Sequence, residues 1–169
     1  PPGAPGKGFC LLEKEGLKIA IVNAQGRVFM AELVDCPFKY LDQLLQNELA
    51  NCDLIFVDFH AEATSEKIAF GNHLDGRASV VVGTHTHVQT ADERILPKGT
   101  AYITDVGMCG PRDSVIGGET EKIIKRFVTG MPHKFNVADA PGMINGVLVS
   151  FDLQTKKAIS IERVFKYKS

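Results

Sequence analysis

The chain has 169 residues, of which 44% are hydrophobic and 23% charged, and its formal net charge is −1. These values are ordinary for one soluble globular domain with a real core. A net charge near zero provides no basic field for holding a nucleic-acid backbone, and no apolar run reaches membrane-spanning length. The four cysteines form no Cys-x-x-Cys pair. Reduced thiols and the lack of a signal peptide favour a cytoplasmic location.

The first eight residues, 1–8, are rich in proline and glycine and lack an initiator methionine. Such a composition is typical of a connector rather than of the start of a domain. We therefore expect residues 1–169 to be one portion of a longer protein, with 1–8 as a connector.

Apolar runs and turn residues predict the first elements of the chain. A strand is expected over 18–23, a turn or loop over 25–27 and a helix over 38–49. A strand over 54–58 follows, and its continuous apolarity predicts that both of its faces are covered. A short helix is then expected over 64–70, with Gly71 near its end.

The second half of the chain predicts further strands over 79–82 and 100–104 and a helix over 119–128. A closing β-hairpin is expected from 144–151 and 158–164. In the helix, three apolar residues are expected on the inner side: Ile123, Ile124 and Phe127. A β-α-β-like beginning and a hairpin-like end predict an α/β fold with a layered, mixed sheet flanked by helices.

Three histidines follow predicted strands directly. His60 comes at the end of one apolar run, and His85 and His87 follow the next one after Gly83. Residues i and i+2 of an extended backbone point to the same side, so the rings of His85 and His87 are expected to converge. We interpret His60, His85 and His87 as metal ligands, since strands of α/β proteins deliver site residues at the sheet rim.

Polar residues beside these histidines are candidates for orienting them. The hydroxyls of Thr84 and Thr86 are expected to position the rings, in contact with substrate or ligands. Asp58 has three open interpretations: a ligand, a partner for the second nitrogen of His60, or an acceptor for backbone amides at the strand end.

The letters Gly71-Asn72-His73 match a Gly-Asn-His signature of metallophosphoesterases, but they follow a predicted helix rather than a strand. That context is wrong for the signature, and we interpret the segment as the loop that ends the helix.

Several long runs of the sequence resemble the YmdB-like family of bacterial calcineurin-like metallophosphoesterases. The resemblance covers nearly the whole chain and rests on runs that are specific to the family. These runs are Asn23–Arg27, Asp58–Lys67, Asp75–Ser79, Gly83–Asp92, Ile95–Met108 and Ile123–Phe127.

The resemblance implies a metal-dependent phosphodiesterase that hydrolyses 2′,3′- or 3′,5′-cyclic nucleotides at a centre of two divalent ions, such as iron, manganese or zinc. It implies that His60, His85 and His87 are ligands of these ions. In the family, the remaining ligands, the genuine Gly-Asn-His motif and the general-acid histidine lie in an amino-terminal part. We expect that part to lie upstream of Pro1, so the catalytic residues are not identified in this chain.

Two other functions remain open at this point. One is a non-catalytic binding or interaction module that keeps the fold without the reaction. The other is a mononuclear zinc hydrolase that uses His60, His85 and His87 with an open fourth position. The expected partner of the phosphodiesterase is a small phosphodiester, with no membrane or nucleic acid involved, and homo-oligomerisation remains open.

Overall fold

The computed structural model describes residues 5–167, so Pro1–Ala4 of the expected connector lie outside the described residues. Residues 5–8 of that connector are irregular, and the first strand begins at Phe9. The elements, in chain order, are β1 Phe9–Lys14, β2 Leu17–Gln25, α1 Pro37–Gln46, β3 Leu54–His60, α2 Thr64–Leu74, β4 Val80–Thr84, β5 Arg94–Ile95, β6 Ala101–Ile103, β7 Gly110–Pro111, α3 Thr120–Thr129, β8 Gly142–Asp152 and β9 Lys157–Tyr167.

The larger sheet has six strands in the order β1-β2-β3-β4-β6-β5. Its four central strands, β2, β3, β4 and β6, are parallel, and the edge strands β1 and β5 each pair antiparallel with their neighbour. The sequence predicted the four central strands, and their parallel pairing places all of their carboxyl ends at one rim.

The helices, the six-stranded sheet and a smaller sheet form three layers, and an apolar core lies between each pair of neighbouring layers. One face of the six-stranded sheet packs against α1 and α2, with side chains such as Val57, Leu41 and Phe70 fully buried between them. The other face packs against a three-stranded antiparallel sheet in the order β7-β8-β9, around Val82 and Ile103. The predicted layered, mixed-sheet α/β fold is therefore confirmed.

Strands β3 and β4 are covered to different extents. The alternating burial of β3 shows one face under the helices and the other half-covered, whereas Val80, Val81, Val82 and Gly83 of β4 are all buried. The expectation that both faces of β3 are covered therefore holds for one face, and the other face is covered only in part. The reason is that the second sheet lies over β4 and β6 and leaves part of β2 and β3 open, including Ile21.

Helix α2 is longer than predicted. It continues through Gly71, Asn72 and His73 and ends at Leu74, so these residues do not form a loop. Gly71 is required by packing, since a Cβ atom there would lie 2.5 Å from ring atoms of Tyr102. A glycine that permits close packing was mistaken for one that ends the helix.

Helix α3 was predicted in the right place but with the wrong exposure. Ile123 is half-buried, whereas Ile124 is 53% and Phe127 80% exposed. No element between residues 5 and 167 covers that face, so the apolar periodicity of α3 found the helix without locating a partner for it.

Within residues 5–167 no helix is both long and apolar enough to cross a membrane. The four cysteines, Cys10, Cys36, Cys52 and Cys109, have free thiols in the structure.

Candidate functional site

The carboxyl ends of β3 and β4 bring the first candidate ligands to one rim. His60 is the last residue of β3, and in the parallel register it pairs with Thr84, the last residue of β4. On its other side His60 pairs with Gln25 at the end of β2. The pattern of apolar strands that end in polar residues therefore located this rim correctly.

A chain of hydrogen bonds fixes the ring of His60. Asn23 Nδ2 donates to Asp58 Oδ2 at 2.9 Å, and Thr84 Oγ1 donates to Asp58 Oδ1 at 2.7 Å. Because the hydroxyl proton of Thr84 is directed at the carboxylate, its oxygen accepts from His60 Nδ1, 3.1 Å away. The proton of the neutral imidazole then lies on Nδ1 and the lone pair on Nε2. Asp58 therefore acts on His60 through Thr84 and does not contact the ring itself.

His85 faces His60 from the loop after β4. The two rings are perpendicular with centroids 4.8 Å apart, and His85 Nδ1 lies 3.1 Å from His60 Nε2. On the far side of the ring, His85 Nε2 lies 3.0 Å from Glu62 Oε2. A carboxylate accepts a proton donor, so Glu62 assigns the proton of His85 to Nε2 and leaves the lone pair on Nδ1.

The outer hydrogen bonds thus leave the two facing nitrogens, His60 Nε2 and His85 Nδ1, without a proton. Lone pairs on nitrogens 3.1 Å apart repel unless a proton or a cation lies between them, and a metal ion would satisfy both. Two imidazole nitrogens that ligate one Zn²⁺ at about 2.0–2.1 Å with tetrahedral angles are about 3.3 Å apart. The donor atoms of His60 and His85 therefore fit two positions of a metal ion's coordination shell.

His87 lies in a different environment. It borders a pocket of about 360 Å³ together with Gln89, Asn145 and Arg163, whereas His60 and His85 border another pocket. The backbone is not extended here, because φ is +105° at His85 and +70° at His87. The expectation that residues i and i+2 share a side was therefore based on the wrong local structure, since β4 ends at Thr84.

Within the described range, 5–167, no group of three or more His, Cys, Asp or Glu side chains is arranged to hold a metal ion. The structure brings together His60 and His85 with Glu62, and it does not bring His87 to them.

Positive φ is uncommon for a bulky residue and costs free energy that the surrounding structure must supply. The loop that carries His85 and His87 therefore needs an anchor.

A buried ion pair holds the loop between the two histidines. Asp105 Oδ2 accepts from Thr86 N at 3.0 Å, from Thr86 Oγ1 at 2.7 Å and from Lys67 Nζ at 2.8 Å. Its other oxygen accepts from the Gly107 amide at 2.9 Å. The side chains of Lys67 and Asp105 are both only 1% exposed. Burial acts to raise the pKa of Asp105, but the hydrogen bonds from Lys67, Thr86 and Gly107 outweigh it and hold that pKa below its usual value.

Glu66, the neighbour of Lys67 on α2, holds a second loop at the same rim. Its carboxylate accepts from the Arg27 amide at 3.0 and 3.1 Å and from the Val28 amide at 3.0 Å. Gly26 allows this approach, since a Cβ atom there would lie 2.6 Å from Glu66 Oε2 and 2.5 Å from Ala61 Cβ. Consecutive residues of one helix therefore anchor the loops that follow β2 and β4.

Gly83 determines how closely β4 and the segment after β6 approach each other. A Cβ atom at this position would lie 1.7 Å from the carbonyl oxygen of Thr104. The Gly83 carbonyl in turn accepts from the Val106 amide at 2.8 Å. A glycine here brings Asp105 within reach of the histidine loop.

Sequence reasoning missed the anchoring residues and misassigned one threonine. Thr86 was expected to orient a ring, but its hydroxyl donates to Asp105; only Thr84 contacts a candidate ligand. Glu66 and Lys67 have the pattern of a solvated charged pair on a helix, and the sequence carries no signal that both are buried. The sequence does carry a signal for Asp105, because this residue follows a predicted strand that ends at the same rim. The Gly-Asn-His segment lies elsewhere, with His73 Nε2 2.9 Å from Asp42 Oδ1 on the helical layer.

Comparison with known proteins gives the chain its relatives. The family described as YmdB-like protein matches residues 1–164. A Bacillus subtilis (strain 168) protein named 2′,3′-cyclic-nucleotide 2′-phosphodiesterase is 56% identical over 164 residues, which are 97% of this chain and 62% of that protein. The chain therefore spans less than two thirds of the length of this relative.

Solved structures agree with the observed fold. A hypothetical protein from Thermus thermophilus matches with a TM-score of 0.93 and 46% identity over 100% of this chain and 65% of its own. A phosphatase from Mycoplasma pneumoniae matches with a TM-score of 0.88 and 45% identity over 96% and 58% of the two chains. A Staphylococcus aureus protein with a provisional assignment as a 5′-nucleotidase shares the fold at a TM-score of 0.54, with 15% identity over 93% of this chain and 29% of that one.

Proposed function

This chain belongs to the YmdB-like protein family, and from that premise we propose that it supplies one side of the metal centre of a cyclic-nucleotide phosphodiesterase. The observation that carries the proposal is the approach of His60 Nε2 and His85 Nδ1 to 3.1 Å. The name of the Bacillus subtilis relative supports a 2′,3′-cyclic nucleotide as the substrate.

His60 and His85 are proposed to hold one divalent ion, and His87 is proposed to contribute to a second. When bound, such ions act as Lewis acids that neutralise charge on a phosphoryl group and lower the pKa of water. Two close cations need carboxylate or other anionic ligands to offset their repulsion. We propose that the remaining ligands come from outside residues 5–167, in the part of the relatives that this chain does not span.

The chain's own residues then have separate tasks. Asp58 and Thr84 keep the proton of His60 on Nδ1, so that its Nε2 is free to bind. Glu62 keeps the proton of His85 on Nε2, so that its Nδ1 is free to bind. The buried pair of Lys67 and Asp105 holds the loop that carries His85. Groups that orient metal-binding histidines typically change metal affinity or activity by about 10- to 100-fold when removed.

A hydrolysis assay tests this proposal. The full-length protein with Mn²⁺ is expected to hydrolyse 2′,3′-cyclic AMP, and His60→Ala and His85→Ala are each expected to lower kcat by more than about 100-fold. His73→Ala is the matched control, since His73 is 32% exposed and contacts Asp42 on the helical layer. Equal activity of the wild type and the three variants would exclude His60 and His85 as ligands.

Metal stoichiometry separates the proposal from its two rivals. The phosphodiesterase is expected to bind two divalent ions per full-length chain and to lose activity when EDTA removes them. One zinc ion with retained hydrolysis would instead indicate a mononuclear hydrolase. Retention of the fold with neither metal nor hydrolysis would indicate a binding module. Repeating the assay with 3′,5′-cyclic AMP defines which cyclic form is the substrate.

A further inference from the structure

We propose that Phe29 is the surface on which the base of the nucleotide substrate stacks. This inference rests on the proposed function for the phosphate end of the substrate and adds a site for the other end. Phe29 follows β2, and within residues 5–167 its side chain is 86% exposed. Three features of its surroundings point to a ligand.

The ring borders the pocket beside the candidate metal ligands. His60 and His85 line a pocket of about 300 Å³ that is also lined by Phe29, Gln25 and Glu32. A ligand whose phosphate is held at the two histidines can therefore reach Phe29 without leaving this pocket. Ligand pockets commonly combine such an aromatic surface with a few polar groups that fix orientation.

The backbone holds Phe29 in a conformation that it does not prefer. Its φ is +62°, in the left-handed region that bulky residues rarely adopt. The preceding amides of Arg27 and Val28 are fixed by hydrogen bonds to Glu66, which is only 9% exposed. A strained residue that a buried carboxylate holds in place is typical of a ligand-binding position rather than of a free loop.

Polar groups next to the ring match the edge of a base. Gln25 Nε2 donates to Glu32 Oε2 at 2.9 Å, so an amide and a carboxylate stand together at the pocket wall. An amide and a carboxylate can pair with the donors and acceptors that line a base edge. The negative charge of Glu32 disfavours a phosphate at this end, whereas divalent ions held by His60 and His85 would attract one. A nucleotide has both parts that this pocket would bind, a flat base with polar edges and a phosphate.

Phe127 provides a contrast within the chain. It is also exposed, at 80%, but it lies within a regular helix and borders none of the polar groups described above. Only Phe29 of these two combines exposure, a strained backbone and proximity to the candidate phosphate site. A packing surface for another protein would not require a pocket with a carboxylate and an amide at its wall.

Steady-state kinetics of the full-length protein with Mn²⁺ test the proposal. Base–aromatic stacking predicts that Phe29→Ala raises KM for 2′,3′-cyclic AMP by about 5- to 100-fold with little change in kcat. A ribose 2′,3′-cyclic phosphate without a base is expected to show no change, and Phe29→Trp is expected to restore the wild-type KM. A similar loss with both substrates, or no loss with either, would overturn the proposal.

A binding measurement tests the same site without hydrolysis. Phe29→Trp in the full-length protein places a fluorescent reporter at the proposed site, and its emission is measured as the difference from the wild type. AMP is expected to quench its emission in a saturable manner, and Phe127→Trp in the full-length protein is the matched control. Saturable quenching in a protein without phosphodiesterase activity would support base binding while the proposed function fails. Equal responses of the two variants to AMP would overturn base binding even if the enzyme is active.

Discussion

The two loops at the rim are held by adjacent residues of one helix, but in different ways. Glu66 accepts hydrogen bonds directly from backbone amides of the loop after β2. Lys67 reaches the loop after β4 only through Asp105, which accepts from Thr86. The first anchor is one carboxylate, and the second is a buried pair of opposite charges. Loss of Glu66 therefore frees a loop, whereas loss of Lys67 also leaves a charge buried without its partner.

The largest effect is expected from Lys67→Met. Removing one member of a buried ion pair costs about 3–5 kcal/mol, because the remaining charge is uncompensated. Urea unfolding at pH 7 measures this cost. Lys122→Met is the control, since Lys122 pairs with Glu119 at the surface, where an ion pair contributes about 0–1 kcal/mol. Equal costs for the two variants would show that the pair of Lys67 and Asp105 is not buried as described.

A double variant sharpens the cause. Combining Lys67→Met with Asp105→Leu removes the stranded charge and is expected to recover part of the lost stability. The double variant still lacks the acceptor for Thr86, so the loop that carries His85 and His87 is expected to remain more mobile than in the wild type. Faster hydrogen exchange at the Thr86 amide in a protein of restored stability would separate the two roles of Asp105.

Glu66→Ala is expected to cost less, about 1–3 kcal/mol, because it leaves the amides of Arg27 and Val28 without their acceptor. Hydrogen exchange is the sharper measurement. These two amides are expected to exchange faster in Glu66→Ala, while the Thr86 amide keeps its wild-type rate. Glu66→Gln, which retains an acceptor oxygen, is the control. Acceleration of both loops in Glu66→Ala would contradict separate anchoring.

Acid is expected to weaken the second anchor. The pKa of Asp105 is below its usual value in the folded protein. The group therefore stabilises the fold above its unfolded pKa of about 4 and loses that contribution as the pH falls through its folded pKa. The difference in stability between the wild type and Asp105→Asn should shrink as the pH is lowered from about 7 to below about 4. A difference that is constant over this range would show that the carboxylate is not the stabilising form.

The smallest change in stability is expected from a substitution on α3, which has no part in anchoring the two loops. Phe127 is 80% exposed. Phe127→Ser is therefore expected to change the stability of this chain by no more than about 0.5 kcal/mol. A guanidinium unfolding curve of the 169-residue chain measures this change. A large loss would show that the apolar face of α3 is covered by something that the described residues do not include.

The sequence predicted the rim well because a strand that runs into polar residues has a clear pattern. Apolar runs located β3 and β4, and their ends placed His60 beside Thr84. The anchors were not predictable, because an adjacent glutamate and lysine on a helix have the same pattern whether they are solvated or buried. Glu66 and Lys67 are buried only because two loops and Asp105 pack over the helix, and these contacts join residues that are distant in sequence.

The backbone conformation of the loop after β4 could also not be predicted from the sequence pattern. The alternation of Thr84, His85, Thr86 and His87 suggested extended backbone, but φ is positive at both histidines. Hydrogen bonds from Thr86 to Asp105 stabilise this turn, and no local sequence signal records them. The separation of His87 from the pair formed by His60 and His85 follows from that turn.

The pairing of His60 with His85 around one cation is tested most directly by a crystal of the full-length protein soaked in Zn²⁺. An anomalous difference map is expected to show one peak about 2.1 Å from both His60 Nε2 and His85 Nδ1, with Glu62 still beside His85 Nε2. A map without density between these two nitrogens, or with the rings turned apart, would contradict the metal centre proposed for this protein.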